Sequence, residues 1–80
     1  MLIFSTDLAP VEKLHLLSQL YISQLKGCFV VKEKKQKTTI IGVVRELSPQ
    51  TLSIRTNEEY RLIEVADILE IRLWEEGIYD

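Results

Sequence analysis

Apolar and polar positions are patterned most clearly over residues 38–56, TTIIGVVRELSPQTLSIRT. The pattern predicts two strands joined by a tight turn. Residues 38–47 are rich in β-branched side chains, which suit a pleated, half-buried surface. Ser48-Pro49-Gln50 reads as the turn, because Pro presets φ and Ser bonds the local backbone. Residues 51–56 then alternate, with Leu52 and Ile54 on one face and Ser53 and Arg55 on the other. Gly42 interrupts the first strand between Ile40-Ile41 and Val43-Val44. A glycine there marks a bend, a bulge or a close backbone approach. Apolar side chains on both faces of this strand imply that both faces are covered, as where a small barrel turns its corner.

The remaining elements follow in order. Leu2-Ile3-Phe4 is an apolar arm, expected either to pair as an edge strand or to pack under a helix. Ser5, Thr6 and Asp7 are good helix N-caps and Pro10 suits a first turn. A helix is therefore expected from about residue 8 or 10 to Lys26, with Gly27 as its stop. At helical spacing Val11, Leu14, Leu17, Tyr21, Ile22 and Leu25 share one side and form the expected core stripe. Leu16 and Leu20 lie off that stripe as a second apolar patch, either extra core or a contact for another chain. Residues 28–32 read as a strand, and KEKKQK (32–37) as a longer, mobile loop without the Asn-Gly of a two-residue hairpin. Asn57-Glu58-Glu59 is a turn, 60–65 a strand and Val65-Ala66-Asp67 a single tight turn. Residues 68–74 form the last strand, with Leu69, Ile71 and Leu73 on one face, before a short acidic tail. One leading helix and five strands with short connections predict a mainly β domain, a small, strongly bent five-stranded barrel.

Length and composition sharpen this. Eighty residues make one domain with a modest core, yet 46% are hydrophobic. Part of that apolar surface is expected to meet a partner, another copy included. The net charge of −2 argues against general nucleic-acid binding. Its distribution is uneven: Lys26, Lys32, Lys34, Lys35 and Lys37 are five of the ten basic residues, and eight of the twelve acids lie from Glu58 onward. The lone Cys28 excludes an internal disulfide and requires no oxidising compartment. No apolar run approaches a signal peptide or a membrane span, so the expectation is a cytoplasmic protein with no membrane association.

The order of elements, Gly42 with Val44 two positions on, and Ile68-x-x-Ile71-Arg72 in the last strand resemble the Sm-like small barrels, an Sm-like or SH3-like architecture. The resemblance covers roughly residues 14–74. It implies a strongly bent five-stranded sheet, a ring-forming oligomer and RNA binding. The departures fall on the RNA-binding positions. The acidic residue expected six positions after the glycine is Ser48, the base-contacting Asn falls at Leu52, and the glycine after Arg72 is Leu73. Only Arg72 carries over. The chain is also similar to the bacterial YolD-like proteins through Tyr60-Arg61-Leu62-Ile63 and Asp67-Ile68-Leu69-Glu70-Ile71. That family has been compared with a partner of error-prone DNA polymerase, which implies protein contacts and not chemistry.

Residues that carry chemistry are few. His15 stands on the polar side of the helix without a nucleophile or acid to complete a triad, and reads as a surface residue. Cys28 reads as a small buried hydrophobe. Glu58/Glu59 and Glu75/Glu76 are adjacent carboxylates that a strand sends to opposite faces. With only Gly27, Gly42 and Gly77 there is no phosphate-cradling loop. No catalytic residue, metal or cofactor is expected. The expected function is a non-catalytic protein-interaction module, an adapter or regulatory subunit that binds another protein or itself. Trp74, Tyr79, Leu16 and Leu20 are its candidate contacts, because Trp and Tyr anchor interfaces. The alternative is an oligomeric RNA- or DNA-binding protein using Lys32, Lys34, Lys35, Lys37 and Arg72 on phosphates.

Overall fold

The structure, a computed structural model, describes residues 3–4 and 10–74. The elements are β1 (Ile3–Phe4), α1 (Pro10–Ser23), β2 (Gly27–Glu33), β3 (Gln36–Leu47), β4 (Thr51–Arg55), β5 (Tyr60–Glu64), a 3-10 turn (Val65–Asp67) and β6 (Ile68–Leu73). They form one antiparallel sheet in the order β1-β6-β2-β3-β4-β5. The protein is mainly β with one helix on its N-terminal side, as the pattern predicts. The arm takes the edge-strand option, with Ile3 opposite Arg72 and Phe4 opposite Ile71.

The long strand β3 organises the sheet. Residues 36–42 pair with β2, and from Val43 onward the partner is β4. The handover falls at Gly42, where a Cβ would collide with the carbonyl oxygen of Arg55 and stand 2.8 Å from Ile54 Cγ2. Ile40 and Val44, on either side of the bend, both point into the core. A bulge at Arg45 adds twist: Val44 faces Ile54 and Glu46 faces Ser53. The curled sheet does not close. Among the described residues β1 and β5 stand at its two ends without pairing to each other, so the expected barrel is an open one. Arg61 of β5 nevertheless reaches the end of β2, where Nη2 donates to both carboxylate oxygens of Glu33 at 2.9 and 3.0 Å.

The core lies between the concave face of the sheet and α1. Phe29, Leu17, Leu52, Ile54, Ile68 and Ile71 are its largest fully buried members. Strand β6 departs from simple alternation. Val31 faces Ile68 and Val30 faces Glu70, which leaves Leu69 as an extra, bulged residue. Ile68 and Ile71 therefore share the core face, three positions apart, while Leu69 and Leu73 are half-buried.

Two expected boundaries are corrected. The helix ends at Ser23 and not at Lys26. Gln24 adopts a left-handed φ of 55°, its N–H donating to the Leu20 carbonyl, and so takes the terminating role assigned to Gly27. Gly27 instead opens β2, where a Cβ would stand 2.7 Å from the Phe29 ring. The mobile loop expected over 32–37 is a tight hairpin: Lys32 faces Lys37 and Glu33 faces Gln36. Lys34 and Lys35 form its two-residue tip at φ 46° and 70°, the mirror-image turn that matches strand twist.

Candidate functional site

The orientation of α1 decides which side chains are free. Lys13, Leu17, Leu20 and Gln24 follow the i, i+4, i+7, i+11 spacing of one helix stripe, and this stripe faces the sheet. Leu17 and Leu20 are buried in the core. At one end of the stripe the Lys13 ammonium reaches the Val65 carbonyl at 3.4 Å. At the other, Gln24 Nε2 donates to the carbonyls of Val44 at 3.0 Å and Tyr21 at 2.6 Å. Two polar side chains thus tether the helix to backbone, with leucines between them.

This orientation corrects the expected core stripe. Leu14 and Leu17 do pack on the core, but Val11, Tyr21, Ile22 and Leu25 turn outward. Val11 and Ile22 are 76% and 79% exposed. Leu20 is core and Leu16 packs half-buried against it, so that pair is extra core and not the expected partner surface. Sequence reasoning missed the outward stripe because it placed those residues inside. The available signal was the width of the apolar arc, about two-thirds of the helix circumference, more than one sheet covers.

Trp74 lies where this stripe ends. Its backbone N–H donates to the Lys26 carbonyl at 2.9 Å, which sets it beside the segment leaving α1. Trp74 is 40% exposed, and Tyr21 and Leu25 are exposed as well. Aromatic and aliphatic side chains open to solvent at the C-terminal end of α1 fit the anchors of protein interfaces. Tyr79, the other expected aromatic contact, lies outside the described residues.

The four lysines of the alternative reading are gathered by the hairpin. Lys32 and Lys37 are directly opposed, with Lys34 and Lys35 beyond them at the tip, and all four are exposed. Arg72 is not part of this group. It faces Cys28 in the β2–β6 register, and its Nε lies 3.4 Å from Glu70 Oε1. Cys28 is buried, as expected. His15 is exposed, its Nε2 3.3 Å from Gln19 Nε2, and stays a surface residue.

A cleft of about 400 Å³ opens between the start of α1 and the 3-10 turn, lined by Lys13, Gln50, Thr51, Glu64, Val65 and Ala66. The Thr51 hydroxyl is engaged with Ser48 Oγ at 3.1 Å and the Lys13 ammonium with Val65. Among the described residues no three His, Cys, Asp or Glu side chains gather as a metal site, and no helix is long and apolar enough to cross a membrane. Comparisons with protein-family models, curated proteins and solved structures found no match.

Proposed function

We propose that this chain is a non-catalytic module that binds another protein through the outward stripe of α1, with Trp74 at its end. The exposure of Val11 and Ile22 on a helix already anchored by its opposite side, and of Leu25 just past its end, carries the reading. None of the three is needed to hold the helix on the sheet. Burying one such side chain contributes about 1.5–3 kcal/mol, so three or four of them offset a substantial part of the cost of association. A partner presenting a complementary apolar groove or helix fits the surface. Capture from an extract of the producing cells tests this, comparing the parent with Ile22→Glu, Leu25→Glu and Trp74→Ala after each is shown to be folded. Loss of the same captured protein from all three is the expected result. An unchanged captured set in all three overturns the reading.

A second reading, contact with the phosphates of nucleic acid, is favoured by one observation at the hairpin. Lys34 and Lys35 occupy left-handed positions where Asn and Gly are preferred, and Lys32 and Lys37 place like charges opposite each other. Four lysines are kept where each choice costs stability, as a charged contact tip would require. Salt-sensitive binding of a short single-stranded RNA, abolished by Lys34→Glu with Lys35→Glu, is the outcome this reading requires. No binding at low salt sinks it.

A further inference from the structure

The geometry points to self-association of this chain through the free edge of β5, two copies pairing antiparallel about a two-fold axis at Leu62. Among the described residues β5 ends the sheet, hydrogen-bonded on one side only, to β4. The phase of the ladder fixes which backbone groups are left over. Val65 N–H donates to the Gln50 carbonyl at 2.9 Å, and Thr56 N–H to the Glu59 carbonyl at 2.8 Å. Hydrogen-bonded pairs recur at every second residue, so Ile63 and Arg61 bond to β4. The N–H and C=O groups of Tyr60, Leu62 and Glu64 point away from β4, toward the open edge.

The side chains of these three residues share the outer face, and two of them are apolar in water. Leu62 is 78% exposed and Tyr60 56%. Exposed edges are ordinarily protected by lysine, proline, a bulge or a covering segment. The opposite end of the sheet has such a cover, since β1 pairs along β6. On β5 neither Lys nor Pro occurs, and no register shift interrupts its pairing with β4.

Charge selects a second copy as the occupant. With the axis at Leu62, Leu62 faces its symmetry mate and Tyr60 faces Glu64 of the other copy. Arg55, directly opposite Tyr60 on β4, holds its guanidinium 5.0 Å from the centre of the Tyr60 ring. The cross-interface row then reads Arg55, Tyr60, Glu64 of the second copy, with a cation and a carboxylate flanking the Tyr60 ring at both ends of the ribbon. Sliding the axis to Arg61 would set Arg61 against its own symmetry mate, which disfavours that register. The pairing is therefore self-complementary in backbone, apolar contact and charge. It uses β5 and leaves the outward stripe of α1 free, so it stands independently of the adapter reading.

Sedimentation equilibrium from about 1 µM to about 1 mM tests the proposal on the full chain, a range that spans weak and moderate dimers. A concentration-dependent dimer is expected, with the Tyr60, Leu62 and Glu64 amides gaining hydrogen-exchange protection as it forms. Leu62→Pro removes an N–H that makes no bond to β4, and is expected to give a monomer. Arg55→Glu and Glu64→Arg are each expected to weaken dimerisation by about tenfold or more, and their combination to restore it. These two keep the test decisive even if Leu62→Pro fails to fold. A monomer throughout the range overturns the proposal. So does a dimer that both charge variants leave intact, or one that Ile22→Glu abolishes while those two do not.

Discussion

Gly27 and Gly42 stand directly opposite each other across β2 and β3, and neither position has room for a side chain. The first lies against the Phe29 ring and Leu20, the second against the backbone of Arg55. Two glycines facing each other strip the sheet of side chains at the point where β3 leaves β2 for β4. The strands can then approach and turn sharply, and the core closes around the turn.

The two glycines are expected to differ in what they tolerate. A methyl at residue 42 meets backbone, with the Arg55 carbonyl carbon 2.9 Å away, and backbone there is held by the β4 ladder. A methyl at residue 27 meets side-chain atoms, at 2.7 and 3.0 Å on the Phe29 ring and 3.2 Å on Leu20. Gly42→Ala should cost about 3 kcal/mol or more, and Gly27→Ala about 1–3 kcal/mol. Urea unfolding of the two variants gives the order, and equal midpoints would contradict this account of the bend.

The hairpin tip should be easy to stabilise. Placing Asn at 34 and Gly at 35 relieves two left-handed lysines, each costing about 1–2 kcal/mol. Lys37→Glu turns the opposed Lys32 pair from repulsive to attractive, worth about 0.2–1 kcal/mol. All three changes together should raise the thermal midpoint, and salt should diminish the Lys37→Glu increment. A lower midpoint would mean that the tip does not adopt this turn.

The two sides of α1 should respond oppositely to substitution. Leu17→Ala removes a fully buried side chain and should cost about 2–5 kcal/mol. Ile22→Glu on the outward stripe and Leu25→Glu just past the helix end should stay within about 0.5 kcal/mol of the parent. Denaturant midpoints distinguish the cases. A strongly destabilised Ile22→Glu would put Ile22 in the core, as the unaided helical pattern suggests.

Thr56 ties the β4–β5 turn. Its hydroxyl accepts from the Glu58 and Glu59 N–H groups at 3.2 and 3.1 Å and donates to the Glu59 carbonyl at 2.9 Å. Thr56→Ala should cost about 1 kcal/mol, with Thr56→Ser recovering most of it. Faster amide exchange across β5 would accompany the loss.

The sequence by itself determined the local elements. β-Branched runs, the Ser48-Pro49-Gln50 turn and the placement of Gly42 are each readable from a few neighbouring residues, because strand and turn preferences act over that range. They announce one helix followed by a strongly bent antiparallel sheet, and the protein has both. Tertiary structure decided which apolar residues face water. The helical period gives relative angles along α1 but no absolute rotation, which follows from burying Leu17 and Leu20 against the sheet while Lys13 and Gln24 bond carbonyls of Val65 and Val44, distant in the chain. Strand pairing likewise bulged Leu69 out of β6, set Lys34 and Lys35 in a tight turn, and left β5, among the described residues, with an open edge. Each depends on which strand lies beside which, a relation that local preference does not encode.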